Sequence, residues 1–107
     1  MGNLLERIRS LVARGEYRVS LHGFRELAAD DISADAIVVG VGGAVALEEY
    51  ADSGRGPSIL VLQADSDGSP LHVVWGIQSG TEAPAVLVTA YRPDPKRWSA
   101  DFMQRRR

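Results

Sequence analysis

The chain is 107 residues long and contains 45% hydrophobic and 24% charged residues. These values are typical of one globular domain, and they exclude a disordered chain. The sequence has no cysteine, which excludes disulfides, thiolate nucleophiles and cysteine zinc sites. The formal net charge is −2, which argues against a generally basic nucleic-acid coat but allows a local basic patch. We predict a single domain over residues 1–107.

The apolar segments predict neither a secretion signal nor a membrane span. Residues 1–14 alternate charged and apolar side chains and lack the apolar core of a signal peptide. The longest run of apolar residues and glycines, 36–47, is too short and too rich in glycine to cross a bilayer. We therefore expect a cytoplasmic protein.

The first 43 residues follow the 3.6-residue period of helices that bury one side. Apolar spacing predicts a first helix that begins near residue 3 and ends at Gly15, followed by a short extended segment at 16–19. Ser20 can cap a second helix. The predicted buried stripe of this helix consists of Leu21, Phe24, Leu27 and Ala28. Ser33 can cap a third helix, over residues 34 to about 41.

From residue 44 the period changes to two, which is the period of strands. Strands are predicted over residues 45–50, 58–64, 71–78 and 85–92, and a short helix over 96–104. The predicted fold class is α+β. N-terminal helices (about 3–43) pack on one face of a four-stranded antiparallel β-meander (about 44–92), and a tail (93–107) with a short C-terminal helix follows.

The Asp67-Gly68 dipeptide is typical of a two-residue hairpin loop, and it sets the register of the two strands that it joins. That register pairs Leu62 with Val73 and Gln63 with His72. It predicts an apolar face under the helices, to which the last strand contributes Val86, Val88 and Ala90. The opposite face receives a polar strip of Gln63, His72, Thr89 and Tyr91.

Three parts of the sequence together resemble a known family. They are residues 17–22 (YRVSLH), residues 56–62 with 70–74 (GPSILVL and PLHVV), and residues 88–98 (VTAYRPDPKRW). Over almost its whole length the chain resembles the bacterial family of domain of unknown function 4258, whose members look like distant relatives of RelE-type ribonuclease toxins. The resemblance implies a RelE-like (barnase-like) fold, a place in a toxin–antitoxin pair and a small antitoxin-like protein as partner.

The family's motifs place the candidate catalytic residues of this chain at His22, His72, Tyr91 and Arg92. The activity implied is metal-independent cleavage of mRNA, which needs a base, an acid and a cation for the phosphorane. His72 and Tyr91 can serve as the acid–base pair and Arg92 as the cation. His22 lies in a first helical turn, where the helix dipole favours the neutral imidazole of a general base.

Further basic side chains are candidates for RNA binding, namely Arg25, Lys96 and Arg97. They belong to an uneven charge distribution, since residues 1–53 carry nine acidic and five basic side chains while the chain from Arg92 onward carries six basic and two acidic ones. No cofactor and no metal ion are expected, because the two histidines lack the spacing of a metal-binding motif.

A second hypothesis is a non-catalytic protein-interaction module on the same fold. In this interpretation His72 is a cross-strand partner and Tyr91 a half-buried strand aromatic. The acidic pI of about 5.6 favours it. So do Glu26 and Asp30, which stand where many family members carry arginine. The sequence leaves the oligomeric state open.

Overall fold

A computed structural model describes residues 3–52 and 54–106. Within these ranges the chain forms three α-helices, a 3-10 turn at Val41–Gly43 and five strands. The helices are α1 (Leu4–Ala13), α2 (Leu21–Ala29) and α3 (Ala34–Gly40). The strands are β1 (Tyr17–Val19), β2 (Val45–Tyr50), β3 (Ser58–Ala64), β4 (Pro70–Ile77) and β5 (Ala85–Tyr91). The α+β class is therefore confirmed.

The sheet has the strand order β1-β5-β4-β3-β2 and is mixed. The pairs β2–β3, β3–β4 and β4–β5 are antiparallel, as in the predicted meander. The prediction of four strands is wrong, because the extended segment before α2 pairs in parallel with β5 as a fifth strand. This pairing joins segments almost 70 residues apart, a distance at which local sequence patterns carry no information.

The predicted C-terminal helix is also wrong. Residues 96–104 form turns, and the tail folds back so that Trp98 makes an isolated antiparallel bridge with Arg105. The Asp101 carboxylate accepts hydrogen bonds from the Ser99 hydroxyl and the Met103 amide, at 2.6 and 3.0 Å. Such local side-chain bonds offer the backbone an alternative to the helix.

The hairpin between β3 and β4 differs from the prediction by one residue. Its loop runs from Asp65 to Ser69, whose carbonyl accepts from the Asp65 amide at 2.9 Å. The Asp65 carboxylate also accepts from the amides of Asp67 and Ser69. Leu62 consequently faces His72 rather than Val73. A slip of one residue moves each side chain of one strand to the opposite face.

The main core lies between α1, α3 and one face of the sheet, here called the helix face. Val88 is an extra residue at a bulge in β5, since Val74 pairs with Thr89 and Trp75 with Leu87. The core side chains of β5 are therefore Ala85, Leu87 and Ala90, not the predicted set of Val86, Val88 and Ala90. The full strand contribution to this core is Ile59, Val61, Leu71, Val73, Trp75, Ile77, Ala85, Leu87 and Ala90.

Gln63 also lies on the helix face and is buried, so it is not part of the predicted polar strip. Its amide nitrogen donates to the Ile37 carbonyl at 2.9 Å, and its amide oxygen accepts from the Trp75 indole at 3.0 Å. Both polar ends of this side chain are therefore satisfied in the core, and they join α3 to the sheet.

Helix α2 packs beside β5, in a different orientation from the one predicted. Ser20 caps the helix by accepting from the Gly23 amide, and its hydroxyl donates to the Val88 carbonyl, both at 2.9 Å. Gly23 lies so close to β5 that a Cβ there would come within 2.9 Å of the Leu87 carbonyl oxygen. This approach turns Gly23 and Leu27 inward and leaves Leu21 and Phe24 67% and 57% exposed.

The opposite side of the sheet, here called the second face, carries the side chains that alternate with the core set. The C-terminal tail covers one end of this face, where Trp98 packs on His72. Among the described residues, no helix combines the length and the apolar character that a membrane crossing requires.

Candidate functional site

His72 lies on β4, the central strand, and its side chain is fully buried under the tail on the second face. Its ring packs edge-on against Trp98, with centroids 4.3 Å apart, and against Tyr91, with centroids 5.4 Å apart. His72 and Tyr91 are directly opposite each other on β4 and β5. The structure thus brings two of the four predicted catalytic side chains into contact, and Thr89 lies on the same face.

The hydrogen bonds of His72 define its tautomer. The Nε2 atom lies 2.8 Å from the Phe102 carbonyl oxygen, which can only accept, so Nε2 carries the proton. In the neutral ring Nδ1 is then an acceptor, and the Tyr91 hydroxyl donates to it at 3.3 Å. Burial lowers the pKa of His72 and outweighs the opposing effect of the Phe102 hydrogen bond, which keeps the imidazole neutral at physiological pH.

Tyr91 is half-buried and faces a small cavity formed largely by the tail. The cavity has a volume of about 290 Å³ and is here called the tail pocket. Its lining consists of Tyr91, Arg92, Asp94, Arg97, Trp98 and Arg105. Burial raises the pKa of Tyr91, so the residue presents a neutral phenol to this pocket.

Arg105 links the tail to the far edge of the sheet. Its guanidinium lies 3.1 Å from the Glu48 carboxylate on β2 and 4.7 Å from the centre of the Trp98 ring. The hydrogen bond from Arg105, followed by one from the Tyr50 hydroxyl, lowers the pKa of Glu48. Burial and the bond to Glu48 raise the pKa of Tyr50 to about 12. The ion pair between Arg105 and Glu48 holds the tail over His72.

Arg92, the predicted catalytic cation, is held by acidic neighbours. Its guanidinium donates to the Asp65 carboxylate at 3.0 Å, and its amide donates to the Asp30 carboxylate at 3.1 Å. The hydrogen bond from Arg92 is the main reason that the pKa of Asp65 is lowered. Arg92 therefore fastens the end of β5 to α2 and to the β3–β4 loop, while it still lines the tail pocket.

The other predicted residues lie at different positions. His22 is exposed on α2, and its Nε2 atom lies 3.4 Å from the Glu26 carboxylate, one turn along the same helix. Arg25 is exposed on the same helix, and Lys96 is exposed in the turn after β5. Arg97 does line the tail pocket and lies 3.9 Å from Asp94.

Sequence reasoning missed three contributors to this site: Glu48, Arg105 and the carbonyl of Phe102. The basic tail was a visible signal, but nothing in the local pattern shows that it folds back over β4. Among the described residues, no three histidine or carboxylate side chains converge as metal ligands would.

The fold and the tail pocket together define a small α+β domain whose mixed sheet carries a buried histidine–tyrosine pair beneath its own C-terminal segment. A family model named DUF4258, a domain of unknown function, matches residues 19–92, well over half of the chain. The chain therefore belongs to this family. No curated protein and no solved structure matches it.

Proposed function

We propose that this protein is the toxin-like member of a bacterial toxin–antitoxin pair, with a RelE-like fold. We further propose that RNA is cleaved in its tail pocket by a mechanism that needs no metal ion. One observation carries the proposal. The Tyr91 hydroxyl donates to a buried, neutral His72 and faces a pocket that three arginines line.

The chemistry of RNA cleavage fits this arrangement. The 2′-oxygen attacks the adjacent phosphorus, the bond to the 5′-oxygen breaks, and the products are a cyclic phosphate and a 5′-hydroxyl. The 2′-hydroxyl proton passes to the Tyr91 oxygen while the phenolic proton moves to Nδ1 of His72, and the 5′-oxygen takes a proton from water. Guanidinium groups at the pocket stabilise the charge of the phosphorane.

In this mechanism Tyr91 is the catalytic residue and His72 is a positioning residue. The imidazole is buried, and the ring nitrogen that can accept a proton faces the Tyr91 hydroxyl, so His72 reaches RNA through that hydroxyl alone. Arg105 and Arg97 contribute positive charge at the pocket. His22 has no part in this mechanism.

The test compares two Tyr→Phe variants in an RNA cleavage assay with EDTA present. Tyr91→Phe keeps the ring that packs on His72 and removes only the hydroxyl. We expect it to lose activity by about 10²-fold or more, the usual contribution of a general base. Tyr17→Phe on β1 is the matched control and should keep wild-type activity. The proposal is wrong if purified wild-type protein leaves RNA intact, or if Tyr91→Phe cleaves as fast as Tyr17→Phe.

The toxin role has a separate test in cells. We expect cells that produce this protein alone to stop growing. Cells that also produce the protein encoded by the neighbouring gene should grow normally. Growth that is unaffected by the protein alone would refute the toxin role.

A second candidate, a non-catalytic interaction module, is favoured by the pairing of the pocket arginines within the chain. Arg92, Arg97 and Arg105 lie 3.0, 3.9 and 3.1 Å from the carboxylates of Asp65, Asp94 and Glu48. Under this hypothesis a protein partner co-purifies with the wild type and with Tyr91→Phe alike, and RNA remains uncut.

A further inference from the structure

A second cavity lies on the second face of the sheet, at the end of the strands away from the tail pocket. Its volume is about 280 Å³, and we call it the strand-end groove. The residues that decide its character are Arg18, Tyr50, Arg55, Gly76, Val86 and Val88. From His72 to Gly76 along β4 the distance is about 13 Å, at about 3.3 Å per residue.

The groove follows one row of residues across all five strands. Arg18 pairs with Val86, Val86 with Gly76, Gly76 with Ser58, and Ser58 with Tyr50. The row therefore runs from an arginine at one edge of the sheet to a tyrosine at the other, over about 19 Å at the usual spacing of strands. Apolar and small side chains lie between these two ends.

Gly76, in the middle of the row, makes the depression. A Cβ at this position would lie 3.2 Å from the Pro57 carbonyl oxygen and 3.6 Å from a methyl group of Val88. The missing side chain at Gly76 therefore keeps the groove open, because any other residue would crowd these atoms.

The charge of the groove is entirely positive. Arg18 and Arg55 are its charged residues, and neither forms an ion pair with a carboxylate of residues 3–52 or 54–106. The arginines of the tail pocket differ in this respect, since each has an acidic partner. Two guanidinium groups that no carboxylate of the described residues pairs with, beside apolar side chains, form a site for an anion.

The loop that carries Arg55 is ordered by its own contacts. The Asp52 carboxylate accepts from the amides of Gly54 and Gly56 and from the Ser79 hydroxyl, at 2.8, 2.9 and 2.8 Å. Gly56 has a φ of +112°, and a Cβ there would lie 1.9 Å from the Ile77 carbonyl oxygen. These contacts hold Gly54 and Gly56, the two neighbours of Arg55, in place without a ligand, which lowers the cost of binding.

We infer that the strand-end groove binds a nucleotide, with the phosphate on Arg18 and Arg55 and the base against Tyr50 and the valines. Guanidinium groups bind phosphate in a bidentate manner, and bases stack on aromatic rings. A volume of about 280 Å³ suits a ligand no larger than one nucleotide, because it lies just below the usual range of ligand sites, about 300–1,000 Å³. An extended peptide fits less well, since it would pair with backbone groups at a sheet edge.

The ligand can be a free nucleoside monophosphate or one nucleotide of an RNA strand, and a titration followed by NMR separates the two. The full-length, ¹⁵N-labelled protein is titrated with adenosine 5′-monophosphate and, separately, with a short oligoadenylate. Shifts of the Ser58, Gly76 and Val86 amides with the monophosphate indicate a site for a free nucleotide. The same shifts with the oligonucleotide alone indicate a subsite for RNA. Both results support the inference.

The variants test the contacts. The double variant Arg18→Gln/Arg55→Gln should weaken binding by about tenfold or more, because charge-assisted bonds to phosphate are lost. Arg7→Gln, on α1 at the helix-face side, is the matched control for loss of a positive charge and should bind as the wild type does. Gly76→Val fills the depression without changing charge and should also weaken binding, with folding checked from the dispersion of its spectrum.

The inference is overturned if neither probe shifts the groove amides, if the shifts fall on the tail pocket instead, or if the double variant binds as well as Arg7→Gln. The readout is binding alone, and adenosine 5′-monophosphate has no internucleotide bond to cleave, so its titration does not depend on ribonuclease activity. Failure of the ribonuclease proposal and failure of this inference are therefore distinguishable.

Discussion

Replacing His72 with glutamine tests whether the buried imidazole is neutral in the folded protein. Glutamine can still donate to the Phe102 carbonyl, as Nε2 of the imidazole does at 2.8 Å, but it cannot titrate. The substitution also removes the edge-on contacts with Trp98 and Tyr91. We expect these to cost about 1–3 kcal/mol of stability at neutral pH, since each aromatic pair contributes about 0.5–1.5 kcal/mol.

The sign of the pH dependence follows from the direction of the shift. Burial lowers the pKa of His72 in the folded protein from its ordinary value of 6.5. Below pH 6.5 the unfolded chain therefore binds a proton that the folded chain does not, and stability falls as the pH falls toward the folded pKa. One proton gives a slope of at most about 1.4 kcal/mol per pH unit.

The measurement is urea unfolding between pH values of about 5 and 8, above the ordinary pKa values of aspartate and glutamate. The wild type should lose stability below pH 6.5, and His72→Gln should lose less over the same interval. His22→Gln is the matched control, because it removes the exposed histidine of α2 and leaves His72 in place. If His72→Gln keeps the wild-type slope, the reasoning about the buried neutral imidazole is refuted.

Four further substitutions test the core, one loop and the orientation of α2. Gln63→Ala should lower the free energy of unfolding in urea by about 2–5 kcal/mol, because it leaves a cavity and unpairs the buried Trp75 indole. A loss below about 1 kcal/mol would contradict that role of Gln63. Gly56→Ala should lower the melting temperature strongly, since the new methyl group would collide with the Ile77 carbonyl oxygen. An unchanged melting temperature would contradict this steric argument. Leu27→Ala should cost about 2–5 kcal/mol, because Leu27 is buried, while Phe24→Ser, on the exposed side of α2, should change stability by about 0.5 kcal/mol or less. Similar losses from both variants would refute the observed orientation of α2.

The order of the elements could be predicted from local patterns. The helical and strand periods placed the three helices and the four strands of the meander within a few residues of their observed positions. The caps at Ser20 and Ser33 were also predictable, because an N-cap depends only on the next three residues, and both side chains accept the expected amide.

The faces of the sheet could not be predicted with the same success. The Asp67-Gly68 signal suggested a two-residue loop, whereas hydrogen bonds to the Asp65 carboxylate close a longer one. That single residue of register moved Gln63 from the second face to the core. The bulge at Val88 had the same effect on β5, since nothing in that segment distinguishes a bulge from a regular strand.

The candidate site was predictable in part, since the family's motifs include His72 and Tyr91 and the structure places these two side chains in contact. Only the tertiary structure showed that Phe102, Trp98 and Arg105 cover the pair, because the tail meets β4 about thirty residues away in the chain.

By itself the sequence determined what depends on near neighbours: a single cysteine-free chain of helices followed by strands, the helix caps and membership of a family. The tertiary structure decided what depends on distant pairing, namely the fifth strand, the register and the two cavities. The formal charge of −2 illustrates the difference. The charge gives only a sum. The fold determines that the arginines of the tail pocket meet acidic side chains, whereas Arg18 and Arg55 form no ion pair with a carboxylate of the described residues.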